Sequence, residues 1–308
     1  SWTESSIGEG APPGFERGLA HSKLTSDQGD IIKSAIRLLA FVALAVAMSH
    51  VPIPSHAQNL GYALDIGSIS DDLFSHQIGD LSDRTVTGAS ALAIVGMDFD
   101  PTATTLYALN NNPQELGTLS LTGVFTPIGP SVPVFPHSWT GLAIDPVDGT
   151  FFASSSDGTV SNLYTLDPAT GTARVVGFNE QADAIIDISV NCEGVIYGHE
   201  IVSDSIYSID RTTGVGSLVG QTGLDSEFHQ GMDFDNQTGT LYAYTYQGGG
   251  ANQYGTINLF GGGGLGEFTP LNIDDPPGEF EGATATQCPI FADGFEFGDT
   301  SEWADTEP

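Results

Sequence analysis

From Leu60 onward the chain is written in short strands. Apolar residues alternate with small or polar ones, and Asp, Asn, Thr, Pro and Gly punctuate the runs. The strand Gly96-Met97-Asp98-Phe99-Asp100 returns as Gly141-Leu142-Ala143-Ile144-Asp145, as Asp187-Ile188-Ser189-Val190-Asn191 and as Gly231-Met232-Asp233-Phe234-Asp235. A degenerate fifth copy is read at Gly282-Ala283-Thr284-Ala285-Thr286. The spacings are 45, 46, 44 and 51 residues. Each complete copy leads through a turn into a second strand, for example Thr105-Leu106-Tyr107-Ala108 and Thr240-Leu241-Tyr242-Ala243. A third strand follows in most units (Leu163–Asp167, Ile206–Asp210), and a fourth ends in glycine at Gly177 and Gly220.

A lone four-stranded sheet cannot cover both of its faces, so repeats of this length predict blades stacked around an axis. The expected fold is all-β, a five-bladed β-propeller of four-stranded blades. Leu60–Asp65 matches the second strand of a unit, Leu73–His76 the third and Thr85–Gly88 the fourth. The missing first strand is supplied by Gly282–Thr286, closing the ring with strands from both termini. Over this span the chain resembles the tandem repeats of secreted bacterial propellers of the YVTN/NHL-like superfamily. That resemblance implies the fold and leaves the activity open.

The charge narrows the partners. The protein has 39 acidic against 7 basic side chains, a formal net charge of −32. From Gln58 onward its only cationic side chains, histidine aside, are Arg84, Arg174 and Arg211. Such a surface repels phosphate backbones and anionic membranes, which excludes nucleic acid as a partner. The absence of lysine beyond Gln58 also removes Schiff-base and P-loop chemistry.

Residues 1–57 read as an upstream segment and a secretory signal. The uncharged run Leu38–Met48 follows Lys33 and Arg37, and Ser55-His56-Ala57 supplies small residues for cleavage after Ala57. The run is too short to span a bilayer, so no integral membrane span is expected in the mature chain. The expected destination is extracellular, the cell surface or the periplasm. Residues 58–288 form the propeller and residues 289–308 an acidic tail. Asp293-Gly294-Phe295-Glu296-Phe297-Gly298-Asp299 in that tail is similar to a short C-terminal segment of assorted exported gammaproteobacterial proteins, with Phe297 where serine is usual. Export permits a disulfide, and Cys192 and Cys288 are the one pair available.

Candidate chemistry is sparse. The Asp-x-x-x-Gly segments beginning at Asp145, Asp167, Asp210 and Asp235 echo calcium loops, but each stops after one or two acids. Turn capping by Asp with glycine at positive φ is the simpler account. No cofactor is therefore expected, with calcium bridging separate loops left open. His137 and His229 precede the first strands of their blades, where connections cross at the channel rim. Trp139, Asp183, Asp187, Glu279 and Glu281 are expected beside them. From this set His137, Trp139, Asp187, His229 and Glu281 are the candidate ligand-binding residues, with no catalytic residue assigned and the metal unknown. Tyr242, Tyr244, Tyr246 and Tyr254 suit either sugar stacking or packing between blades. The expectation is an exported, non-catalytic module that binds a glycan, a peptide or a surface partner. Two alternatives stay open: a self-assembling subunit of an extracellular fibre or surface layer, and a metal-dependent hydrolase or lyase at the channel mouth.

Overall fold

The computed structural model describes residues 59–66, 71–228, 230–248, 252–261, 263–274 and 279–289. Residues 1–57, where a secretory signal is expected, the tail from residue 290 and His229 lie outside the described residues. Among the described residues twenty strands make five antiparallel sheets. β1 (Leu60–Asp65), β2 (Asp72–Gln77) and β3 (Asp80–Ala89) belong to the first blade. β4 (Ile94–Phe99), β5 (Leu106–Asn111), β6 (Gln114–Leu119) and β7 (Phe125–Pro130) form the second. β8 (Ser138–Ile144), β9 (Phe151–Ser156), β10 (Ser161–Leu166) and β11 (Ala173–Asn179) form the third. The fourth contains β12 (Ile185–Val190), β13 (Ile196–Glu200), β14 (Ser205–Ile209) and β15 (Gly216–Gln221). The fifth contains β16 (Gly231–Asp235), β17 (Thr240–Tyr246), β18 (Asn252–Ile257) and β19 (Phe268–Asp274). β20 (Phe280–Thr284) returns to the first blade as its innermost strand, in the order β20-β1-β2-β3.

The inner strands β4, β8, β12, β16 and β20 contact one another in ring order. Each blade face meets the next blade through its own apolar cluster. Between the second and third blades lie Leu109, Leu116, Trp139, Leu142 and Tyr164, and between the fourth and fifth lie Tyr197, Ile206, Met232 and Phe234. A sheet that is apolar on both faces needs a neighbour on each side, and a closed ring provides it.

The recurring glycine of the fourth strands has a specific cause. A Cβ on Gly177 would lie 1.8 Å from the Thr213 carbonyl oxygen, and one on Gly220 would lie 1.6 Å from that of Leu265. The third-to-fourth turn of the following blade packs backbone to backbone at this point, and any side chain would force the blades apart. The Asp-x-x-x-Gly segments are capped turns. The Asp145 carboxylate accepts from the Val147 and Asp148 amides, and that of Asp210 accepts from Thr212 and Thr213. Gly149, Gly171, Gly214 and Gly239 sit at φ between 70° and 74°.

Closure occurs in the predicted place with a one-residue correction. β20 pairs with β1 over Gly61↔Thr284 to Asp65↔Phe280. The small second-strand residues Ala63, Ala108, Ala153, Gly198 and Ala243 face Gly282, Met97, Leu142, Ile188 and Met232 across the ladder. Gly282 therefore occupies the methionine position of the repeat, and Glu281 stands where the other copies have Gly96, Gly141, Asp187 and Gly231. Aligning glycine with glycine misplaced the last copy, because only cross-strand pairing sets register.

Antiparallel strands alternate ends, so all loops leading into inner strands share one face with the second-to-third connections. We call this the front face. The Asp-capped turns form the back face. Asn59 and Ala285 exchange backbone contacts with the opposite strand there, and Gln287 donates to the Thr102 carbonyl on that side. A disulfide joins Cys192, in the back-face turn after β12, to Cys288, with Cα atoms 5.7 Å apart. Among the described residues no helix is long and apolar enough to cross a membrane.

Candidate functional site

Two polar systems stand out in the ring. The first lines the axis. Inner strands point alternate side chains toward the next blade, and in three of them an aspartate reaches across. Asp98 accepts from the Ile144 amide at 2.6 Å, Asp187 from Met232 at 2.7 Å and Asp233 from Thr284 at 2.6 Å. Each also accepts from the amide of its own following residue. Ser189 adds its hydroxyl to Asp233 at 2.7 Å. These acids bolt adjacent inner strands together where two ladders would otherwise leave donors unpaired. Glu281 completes the set and is fully buried.

Burial raises the carboxyl pKa of all four. Asp233 is pushed up to about 6, chiefly by desolvation. Asp98 is raised further by the charge of Asp233, Asp187 by that of Glu281, and Glu281 by that of Glu279. Between its ordinary value of 3.8 and about 6, folded Asp233 holds a proton that the unfolded chain has released. Stability contributed by that proton is present at low pH and lost as pH rises through this window. Two pKa units correspond to about 3 kcal/mol. In metal-free buffer the melting temperature should therefore rise as pH falls from about 6 to about 4, and Asp233→Asn should flatten the slope. Below that range the trend should reverse, because exposed turn acids such as Asp210, held at about 2, begin to lose their capping charge. Thermal melts across the pH series check both parts.

The second system is the loop of residues 131–137 between β7 and β8. Trp139 Nε1 donates to the Ser131 carbonyl at 2.8 Å, and the Val134 amide donates to the Tyr164 hydroxyl at 3.1 Å. The His137 amide closes a turn on the Val134 carbonyl at 2.9 Å. The His137 ring lies 3.3 Å from Ser155 Oγ through Nδ1 and 3.9 Å from Asp157 through Nε2. Serine, histidine and aspartate in a line suggest a nucleophilic triad, but Ser155 is fully buried and donates to Tyr164 at 3.2 Å. The line works as a brace beneath the loop. What the brace presents is apolar: Phe135 is 93% exposed, with Val132 and Val134 beside it.

The structure thus separates the residues that sequence grouped at the rim. Asp187 and Glu281 occupy the same level of the inner ring on β12 and β20, while His137 turns to Asp157 and Ser155 in its own blade. Trp139, expected beside the histidines at the rim, has its ring buried and packed edge-on against Tyr164, 4.8 Å between centroids. Tyr244 and Tyr254 are buried between the first and fifth blades with His76, so they pack rather than offer a sugar platform. Tyr246 instead pairs with Phe228 near the front face, 6.3 Å apart. The repeat marks Asp98 and Asp233 only as signature residues, although their period-2 relation to the Asp187 position is the available signal. Phe135 carried no signal, because a single aromatic residue in a proline-rich loop has no periodicity.

A closed ring of five four-stranded blades with acid clamps at its axis defines a β-propeller repeat protein. The chain belongs to the DUF6923 family, a repeat of unknown function that matches residues 80–266. No curated protein matches it. Among solved structures it is similar to a chain of the nidogen/laminin complex, at 16% identity and a TM-score of 0.48, covering 74% of this chain and 100% of that one. It is also similar to a catalytically inactive virginiamycin B lyase from Staphylococcus aureus, solved with quinupristin, at 13% identity and a TM-score of 0.40, covering 68% and 69%. A protein of unknown function from Bacteroides thetaiotaomicron shares 17% identity at a TM-score of 0.43, covering 60% and 53%.

Proposed function

We propose that the protein is an exported, non-catalytic interaction module that grips a protein partner with the front face of the ring. The observation that carries this reading is Phe135, 93% exposed at the tip of a loop whose base is tied down by Trp139, Tyr164 and His137. An exposed aromatic side chain on a flexible loop would lose much of its binding energy to ordering. A braced loop is already ordered, which is how interface anchors gain affinity. Val132, Val134, Val202 and Phe228 extend apolar surface over the same face. Export is supported by the leader-like run Leu38–Met48 and by the disulfide, which suits an oxidising compartment. Both described chain ends lie on the back face, so any attachment there leaves the front face free. The acidic surface favours a partner whose apolar cleft has a basic border.

Phe135→Asp tests the reading. The side chain has almost no contacts to lose, so the melting temperature should stay within about a degree of wild type, as for most surface changes. Binding to a partner captured from envelope and culture fractions should fall at least tenfold, the scale of an interface anchor. Equal binding by both proteins would remove the front loop as the site.

A further inference from the structure

Glu281 stands apart from the other axial acids. At the equivalent position Asp187 has a side chain short enough to fold back onto backbone, accepting from Ile188 at 2.8 Å and from Met232 at 2.7 Å. Glutamate is one methylene longer and overshoots those amides. Both Glu281 carboxylate oxygens are buried, and neither has a hydrogen-bond partner. The same ring position holds glycine in the flanking inner strands, at Gly96 and Gly231, so no neighbouring side chain reaches the carboxylate from that level. Asp187 and Glu281 stand at the same level of the inner ring, on β12 and β20.

Among the described residues no arginine reaches this place. Arg84 and Arg174 lie on the outer strands β3 and β11, and Arg211 binds Asp145 and Asp148 on the back face, each at 2.8 Å. His199, opposite Asp187 in the ladder, turns its Nε2 toward Ser226. Buried carboxylates need a donor, a proton or a counter-ion. Oxygen-only ligands of this kind suit a hard cation, and calcium tolerates an irregular set completed by water.

We infer that Glu281 and Asp187 form a calcium site on the propeller axis, with Glu281 as its anchoring ligand. Among the described residues no three His, Cys, Asp or Glu side chains gather around one point. Water therefore completes the coordination, and the affinity belongs in the weak range of extracellular modules, with Kd on the order of 10⁻⁴ M. This inference is independent of the front-face reading.

The test uses the folded chain stripped with chelator, in about 0.5 M NaCl to screen the acidic surface. Melting is compared with and without calcium at about 100 times that Kd for wild type, Glu281→Gln and Asp83→Asn, the last an exposed acid on β3. Wild type and Asp83→Asn should gain roughly 5–10 °C, and Glu281→Gln should gain far less. Equilibrium dialysis of the wild type should give one calcium per chain above the surface background, a readout that does not require the variant to fold. An equal gain in all three proteins would overturn the site in favour of diffuse surface binding. So would the absence of any gain in wild type, with Glu281→Gln more stable in both buffers, which is the behaviour of a carboxyl that simply carries a proton.

Discussion

A chain ending at residue 278 should not unfold cooperatively, whereas one ending at Pro289 should melt like the full-length protein. The difference is β20. Removing it leaves β1 as an unpaired inner edge and strips the partners of Gly61 through Asp65. It takes Phe280, Ala283 and Thr284 out of the core, where each is at most 5% exposed. It also frees Asp233 from the Thr284 amide and leaves the Phe234 carbonyl without the Thr284 hydroxyl. The blade loses its innermost strand, and the ring loses the contacts of that strand with β16 and β4. Domains are stable by only about 5–15 kcal/mol, and a loss on this scale is comparable to the whole. Circular dichroism melts of the two truncations decide the point. A cooperative transition in the shorter chain would show that blades two to five stand alone. Adding a peptide covering residues 279–289 should restore the transition, as strand complementation does elsewhere.

Replacing both cysteines by serine should lower stability by about 4 kcal/mol, a shift of roughly 10 °C for a domain of this size. The bridge joins positions 96 residues apart and so closes a long loop in the unfolded chain. Its placement also bears on the first prediction. Cys288 follows the closing strand by a few residues, and Cys192 sits in the back-face turn of the fourth blade. The bond therefore holds the end of β20 against the ring from which it would otherwise fray. Calorimetry of the double variant, with reduced wild type as a second route to the same state, measures the effect. A shift under about 2 °C would mean that ladder and core alone hold the terminal strand.

The link between these two results shows how the fold depends on a few residues at its far end. The disulfide, Thr284 and the Asp233 clamp all act on the seam where the ring is sewn. Four of the five interfaces join blades that are adjacent in sequence and carry short connections. Only the seam must be closed over the full length of the chain, so its loop-closure entropy is the largest to overcome.

The repeat, the strand boundaries and the capped turns were legible without coordinates because their causes are local. Alternation marks a half-buried strand, and Asp145 or Asp210 caps a turn with its own neighbours. Glycine at positive φ belongs to the same few residues. Closure by both termini was legible too, since an incomplete first unit and an extra last strand must find each other. What the local code did not contain was register across the seam. Gly282 resembles the repeat glycine in type, yet pairing with Ala63 makes Glu281 its true counterpart and puts an unpartnered carboxylate on the axis. The same holds for the rim. His137 and Trp139 stand two residues apart where the front loop enters β8, but Tyr164 and Ser155, on neighbouring strands of the same blade, draw them inward and leave Phe135 outside. Sequence by itself determined the elements, because backbone preference and turn chemistry act over a few residues. Only the tertiary structure decided which side chains meet, because burial and cross-strand pairing join residues that the chain keeps far apart.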